Sequence, residues 1–160
     1  MGATTDGDEW GDHLEAISDA LRRDDRPRIA ALLQGMHPAE TAHVLESLPP
    51  DDRKVVWDMV EPVHEGDVLM HLREDVRGGL IRDMDTQELV AAAGGLDTDD
   101  LADILDEFPE SAVHEVLRSM DAQNRHRLER VLSYPDDTAG GLMNLDTITV
   151  RADVTLDVVL

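Results

Sequence analysis

Two aspartates four residues apart, Asp99 and Asp103, stand in the segment Leu96-Asp97-Thr98-Asp99-Asp100-Leu101-Ala102-Asp103-Ile104-Leu105. On a helix that spacing puts both carboxylates on one face, where their repulsion costs roughly 0.2–0.5 kcal/mol. A bound cation would relieve it. The same residues also suit plain structural work, because Asp97 or Asp99 can cap the helix and acidic first-turn residues complement its dipole. Other chemistries find less footing. His37, His43, His64, His71, His114 and His126 form no i, i+4 pair among themselves and no HExxH occurs, so they read as surface or interface histidines. The absence of cysteine removes disulfides and thiolate metal sites. Gly78-Gly79 and Gly94-Gly95 lie outside the strand–loop–helix setting of a phosphate cradle and fit helix ends or close packing instead. Serines and threonines are scattered, with no nucleophile–base–acid set, so no enzymatic activity is expected.

Charge narrows the partners. Asp and Glu number 36 against 14 Lys and Arg, a net charge of −22. Nucleic acid and anionic membrane surfaces are repelled, leaving cations and basic surfaces as counterparts. A salt-adapted surface explains the bulk of this charge as well as a cation-responsive one does, so position has to decide. No run of about 18 apolar residues exists, and residues 1–9 read as a disordered acidic tail rather than a signal peptide. A cytosolic setting fits.

The elements that position these carboxylates follow a twelve-residue register. From Met36 in steps of twelve come Leu48, Val60, Leu72, Met84, Leu96, Phe108, Met120 and Leu132, all apolar. A second track four residues earlier reads Leu32, Val44, Val56, Val68, Leu80, Ala92, Ile104, Val116 and Leu128, again apolar throughout. Positions four apart share a helical face, so each unit reads as a short helix with an inward stripe and a tight turn. Helices this short need neighbours to bury their stripes, as in a solenoid. Two units would make a 24-residue hairpin. Trp10, Leu14, Ile17 and Leu21 form the stripe of a longer helix capping the stack, Trp57 falls on an apolar stripe, and Pro27 and Pro38 suit first turns. The expected fold is therefore all-α, a solenoid of short helices over residues 10–133.

The pattern changes near Tyr134. The run Tyr134-Pro135-Asp136-Asp137-Thr138-Ala139-Gly140-Gly141-Leu142-Met143 breaks the register. Thr147-Ile148-Thr149-Val150 is β-branched and strand-like, and Val154 to Leu160 reads as the start of a helix.

The run from Tyr134 to Met143, together with Thr147 to Arg151 and Val154 to Leu160, closely resembles the junction in MgtE-family magnesium channels. There a superhelical N domain hands over to a pair of CBS domains. The Asp-Asp-Thr-Ala-Gly-Gly-Leu-Met stretch is its most specific part, and Leu96 to Leu105 also matches the family's N domain. The resemblance covers residues 14–160. It implies a right-handed superhelix over residues 10–133, a linker over 134–145, and a truncated CBS domain whose first strand and helix occupy 146–160. It implies a cytoplasmic, Mg²⁺-sensing regulatory domain of a membrane channel. Its partners would be the CBS and transmembrane domains of the same full-length protein, which works as a homodimer. Carried over residue by residue, the metal ligands would be Asp99, Asp103, Asp67 and the backbone carbonyl of Gly141, with Mg²⁺ or another divalent cation such as Co²⁺ as the ion. Mg²⁺ keeps several waters and needs only one or two carboxylates from each of two surfaces. The other reading of the repeat is an armadillo-like scaffold for a protein partner, similar to helical modules of the flagellar motor switch, with no metal role.

Overall fold

A computed structural model describes residues 6–134 and Thr138. The expected strand and helix of 146–160 and the carbonyl of Gly141 lie outside the described residues, as does the side chain of Trp10. Ten α-helices and one short 3₁₀ turn make up the described part: α1 (Asp6–Arg22), α2 (Arg26–Leu33), α3 (Pro38–Ser47), α4 (Pro50–Trp57), α5 (Pro62–His71), α6 (Glu74–Asp83), α7 (Thr86–Ala93), α8 (Thr98–Ile104), a 3₁₀ turn (Leu105–Glu107), α9 (Glu110–Ser119) and α10 (Ala122–Val131). Helix α1 takes in Asp6 to Glu9, the last four residues of the segment 1–9.

From α2 onward, successive helices begin at residues 26, 38, 50, 62, 74, 86, 98, 110 and 122. The interval is met in two ways. Ten-residue helices α3, α5, α6 and α9 are followed by two-residue links, while eight-residue helices α2, α4 and α7 are followed by four-residue links. Prolines in the first turn of α2, α3, α4 and α5 pre-set the helical φ where no N–H is needed. Asp85 and Asp121 cap α7 and α10, each side chain accepting two backbone N–H bonds.

The two apolar tracks divide the work differently from the single stripe expected. Val44, Val56, Ile104 and Leu128 lie inside helices and are 0% exposed. Leu48, Leu72, Met84, Phe108 and Met120 lie just past the helix ends instead, with φ between −87° and −71° and ψ between 144° and 148°. Each of these link residues plugs the gap between units from an extended backbone. Leu132, last on that track, is exposed. Trp57 is buried, as expected.

Nor do consecutive helices fold back as hairpins. The extensive packing joins alternate helices, α3 to α5, α5 to α7, α7 to α9 and α8 to α10. The start of one lies beside the end of the next: His37, capping α3, faces His71 at the end of α5, and the carbonyl of Val63 in α5 approaches Gly95 just past α7. The links explain this. In the two-residue links an extended C-cap followed by an extended N-cap leads the chain away at a wide angle, whereas a close hairpin uses a left-handed residue. The one non-glycine residue with positive φ among those described is Asp24, at 52°, and there α1 and α2 do pack together. One continuous core runs from Ile17 in α1 to Leu128 in α10.

Candidate functional site

Helix α8 is seven residues long and starts from Asp97, whose backbone is extended (φ −66°, ψ 159°) but whose side chain makes no capping bond. The capping role that the sequence allows for Asp97 is therefore confined to its backbone. Leu101 and Ile104 pin α8 to the core and turn its other face outward. Asp99 is half-buried there, and its Oδ1 is shielded from solvent with no hydrogen-bond partner. Asp103 is exposed one turn later and has an interaction of its own.

Asp100 ties the group together. Burial pushes its carboxyl above the usual range, and the charges of Asp99, Asp97, Asp103 and Asp67 push the same way. Asp67 comes from α5, so the fold does bring it beside the α8 carboxylates. An open cleft of about 500 Å³ lies between them, lined by His37, Pro38, Asp67, Met70, His71 and Asp100. Among the described residues no three carboxylates or imidazoles converge closely enough to hold a cation unaided. His37 uses Nδ1 to accept the N–H of Ala39, which fixes its Nε2–H tautomer and leaves it poorly disposed as a ligand.

The repeat supplies its own comparison. Subtracting 24 from Asp67, Met70 and His71 gives His43, Glu46 and Ser47, which with Arg73 line the equivalent cleft between α3 and α6. There Glu46 is largely buried, accepts the backbone N–H of Arg73 at 2.7 Å and pairs with its guanidinium at 3.3 Å. Arg73 caps α6 as Asp97 caps α8. In the upstream cleft an internal cation thus pairs with the carboxylate, and its downstream copy carries an aspartate at the position of that cation. Asp97 and Asp100 are the site residues that spacing and resemblance miss. For Asp97 the signal is its 24-residue alignment with Arg73, which a search for apolar tracks ignores.

A raised carboxyl pKa has a definite sign. Folding favours the protonated form, so this contribution is fully present at low pH and is lost as pH rises through the folded pKa. At neutral pH the charge of Asp100 works against the fold. Asp100→Asn is expected to raise the thermal midpoint at pH 7, low salt and no divalent ion, on the order of 1–2 °C for a fraction of a kcal/mol. The gain should shrink as pH falls through the carboxylate range, where the wild-type group is neutral too. Thermal scans at pH 7 and pH 4 check both halves.

Residues 36–137, more than half of the chain, match the family of the MgtE intracellular N domain. Magnesium transporter MgtE of Thermus thermophilus is 26% identical over 148 residues, covering 91% of this chain and 33% of that protein. The chain therefore spans about a third of the length of that relative. Among solved structures, the cytosolic domain of the Mg²⁺ channel MgtE in complex with ATP superposes with a TM-score of 0.77 at 25% identity, over 91% of this chain and 60% of the other. The soluble part of a magnesium transporter gives 0.64 at 19% identity, over 82% and 52%, a likeness of fold. Register, helix order and these matches lead to one conclusion: the chain belongs to the MgtE intracellular N domain family.

Proposed function

We propose that this chain is the Mg²⁺-sensing regulatory domain of an MgtE-type magnesium channel, a cytoplasmic part of a membrane protein that acts as a homodimer. Its helices wind as a right-handed superhelix that presents Asp67, Asp99 and Asp103 to the CBS domains of the same protein. Bridging Mg²⁺ ions dock the two surfaces, and docking favours the closed pore. The carbonyl of Gly141 joins the ligand set on the strength of the resemblance alone.

The observation that carries this reading is the half-formed character of the α5–α8 cleft. The charges of Asp99, Asp97, Asp103 and Asp67 all raise the proton affinity of Asp100, yet no three such groups converge on one point among the described residues. Such an arrangement repels a second acidic surface and attracts it once a divalent ion lies between. Mg²⁺ suits the task because it retains waters and takes only one or two carboxylates from each side. At ten times its dissociation constant one ion stabilises the docked state by about 1.4 kcal/mol, so several weak sites are needed for a firm switch.

Small-angle scattering of the N domain joined to its CBS domains, across a Mg²⁺ titration, tests the proposal. Compaction at millimolar Mg²⁺ that is lost in Asp99→Asn with Asp103→Asn supports it. A helical scaffold without a metal role predicts the same dimensions at every Mg²⁺ concentration, and that outcome would sink the reading.

A further inference from the structure

Where the eight-residue helices α2 and α4 end, their four-residue links leave clefts against the next helices, and the two clefts are copies of each other. Adding 24 to residues lining the first gives residues lining the second, so Leu33, Thr41, Glu61 and His64 become Trp57, Glu65, Asp85 and Glu88. Their chemistry differs. The second is walled by carboxylates, and burial followed by the charge of Glu88 pushes Glu65 upward. The first is mostly apolar and about 130 Å³ in volume, with Met36 and Met59 on its walls and Val68 at its base.

We propose that the α2 cleft is a binding site for a small neutral molecule built on a single ring and carrying one hydrogen-bonding group. Size sets the ring: an engineered dry cavity of about 150 Å³ holds benzene, and this cleft is comparable. Two methionines let the walls adjust to the occupant, since an unbranched thioether side chain changes rotamer at little cost. Its polar groups are Thr41 and one edge where Gln34 donates to Glu61 at 2.9 Å, with His64 also on the lining. That edge can meet a single hydroxyl. A carboxylate ligand is excluded by Glu61 and by the net charge of −22. The occupant would lie against α2, α3 and α5 at once.

Titrating the whole chain with phenol and with benzoate, followed by backbone amide NMR, tests this. Phenol should give saturable shifts confined to the neighbourhood of Met36, Met59 and Val68, and benzoate none. Ala30→Leu, which fills the cleft from α2, should weaken phenol at least tenfold with the helical spectrum unchanged. Equal response to the two ligands, non-saturable shifts, or phenol binding undiminished in a folded Ala30→Leu chain would overturn the proposal.

Discussion

Gly66→Val is expected to cost about 3 kcal/mol of unfolding free energy, at the upper end of what overpacking does to a core. The reason lies in the contact between α5 and α7. A Cβ built on Gly66 would sit 2.4 Å from the backbone oxygen of Ala92 and 3.0 Å from Cγ of Leu96. A flexible side chain could move aside, but a helix carbonyl cannot, so the two helices must part. That separation would propagate, because α5 packs on α3 as well and α7 on α9. Alanine normally stabilises a helix over glycine by about 1 kcal/mol, so even Gly66→Ala runs against propensity and should destabilise. Gly35 is the control: a Cβ there meets only the carbonyl of Leu32 at 3.6 Å, and Gly35→Ala should leave stability nearly unchanged. Urea unfolding of the three variants decides the matter. A Gly66→Val chain as stable as the wild type would show that α5 and α7 leave room for a side chain between them.

Helix positions are legible in the sequence because two apolar tracks and the turn residues obey one period. Val44, Val56 and Ile104 advertise burial by type and spacing alone. How the units are joined is not legible. A link such as Leu48-Pro49 reads as a tight turn, and a tight turn suggests a hairpin. The backbone is extended at both residues, so the next helix leaves at a wide angle and the partner becomes the helix after next. The path of the chain depends on ψ values that residue types constrain only weakly. Gly66 shows the same limit from the other side. Its neighbour Ala92 is 26 residues away, and nothing local marks the glycine as a contact point.

The candidate site divides along the same line. Asp99 and Asp103 stand out by spacing and resemblance, and their placement on one short helix follows from the four-residue interval. Asp67 stands out by resemblance but not by spacing, and it is the packing of α5 that sets it among the charges acting on Asp100. Asp97 reads as a side-chain cap by a sound rule, since aspartate before a helix usually does accept an N–H. In α8 it does not. Its charge acts on Asp100 instead, whereas the equivalent Arg73 pairs with Glu46 in the upstream cleft.

Because α8 holds most of these carboxylates on only seven residues, its hold on the core should govern the site more than its own helical tendency does. Ile104 is the last residue of α8 and is 0% exposed. Ile104→Ala is expected to lower unfolding free energy by about 3 kcal/mol, within the range for large-to-alanine changes in cores. Leu45 in α3 is equally buried, and Leu45→Ala should cost a similar amount. The two should differ in their response to Mg²⁺. Loss of Ile104 loosens the helix that carries Asp99 and Asp103, so more Mg²⁺ should be needed to compact an N-plus-CBS protein, even far below its thermal midpoint. Loss of Leu45 leaves α8 and its packing on α10 in place, so the midpoint of the Mg²⁺ titration should stay where it is. A seven-residue helix cannot persist without its apolar contacts, and that is why a residue with no side-chain oxygen to offer the ion should still set its apparent affinity. If both variants shift the titration alike, the response tracks global stability and α8 has no special role.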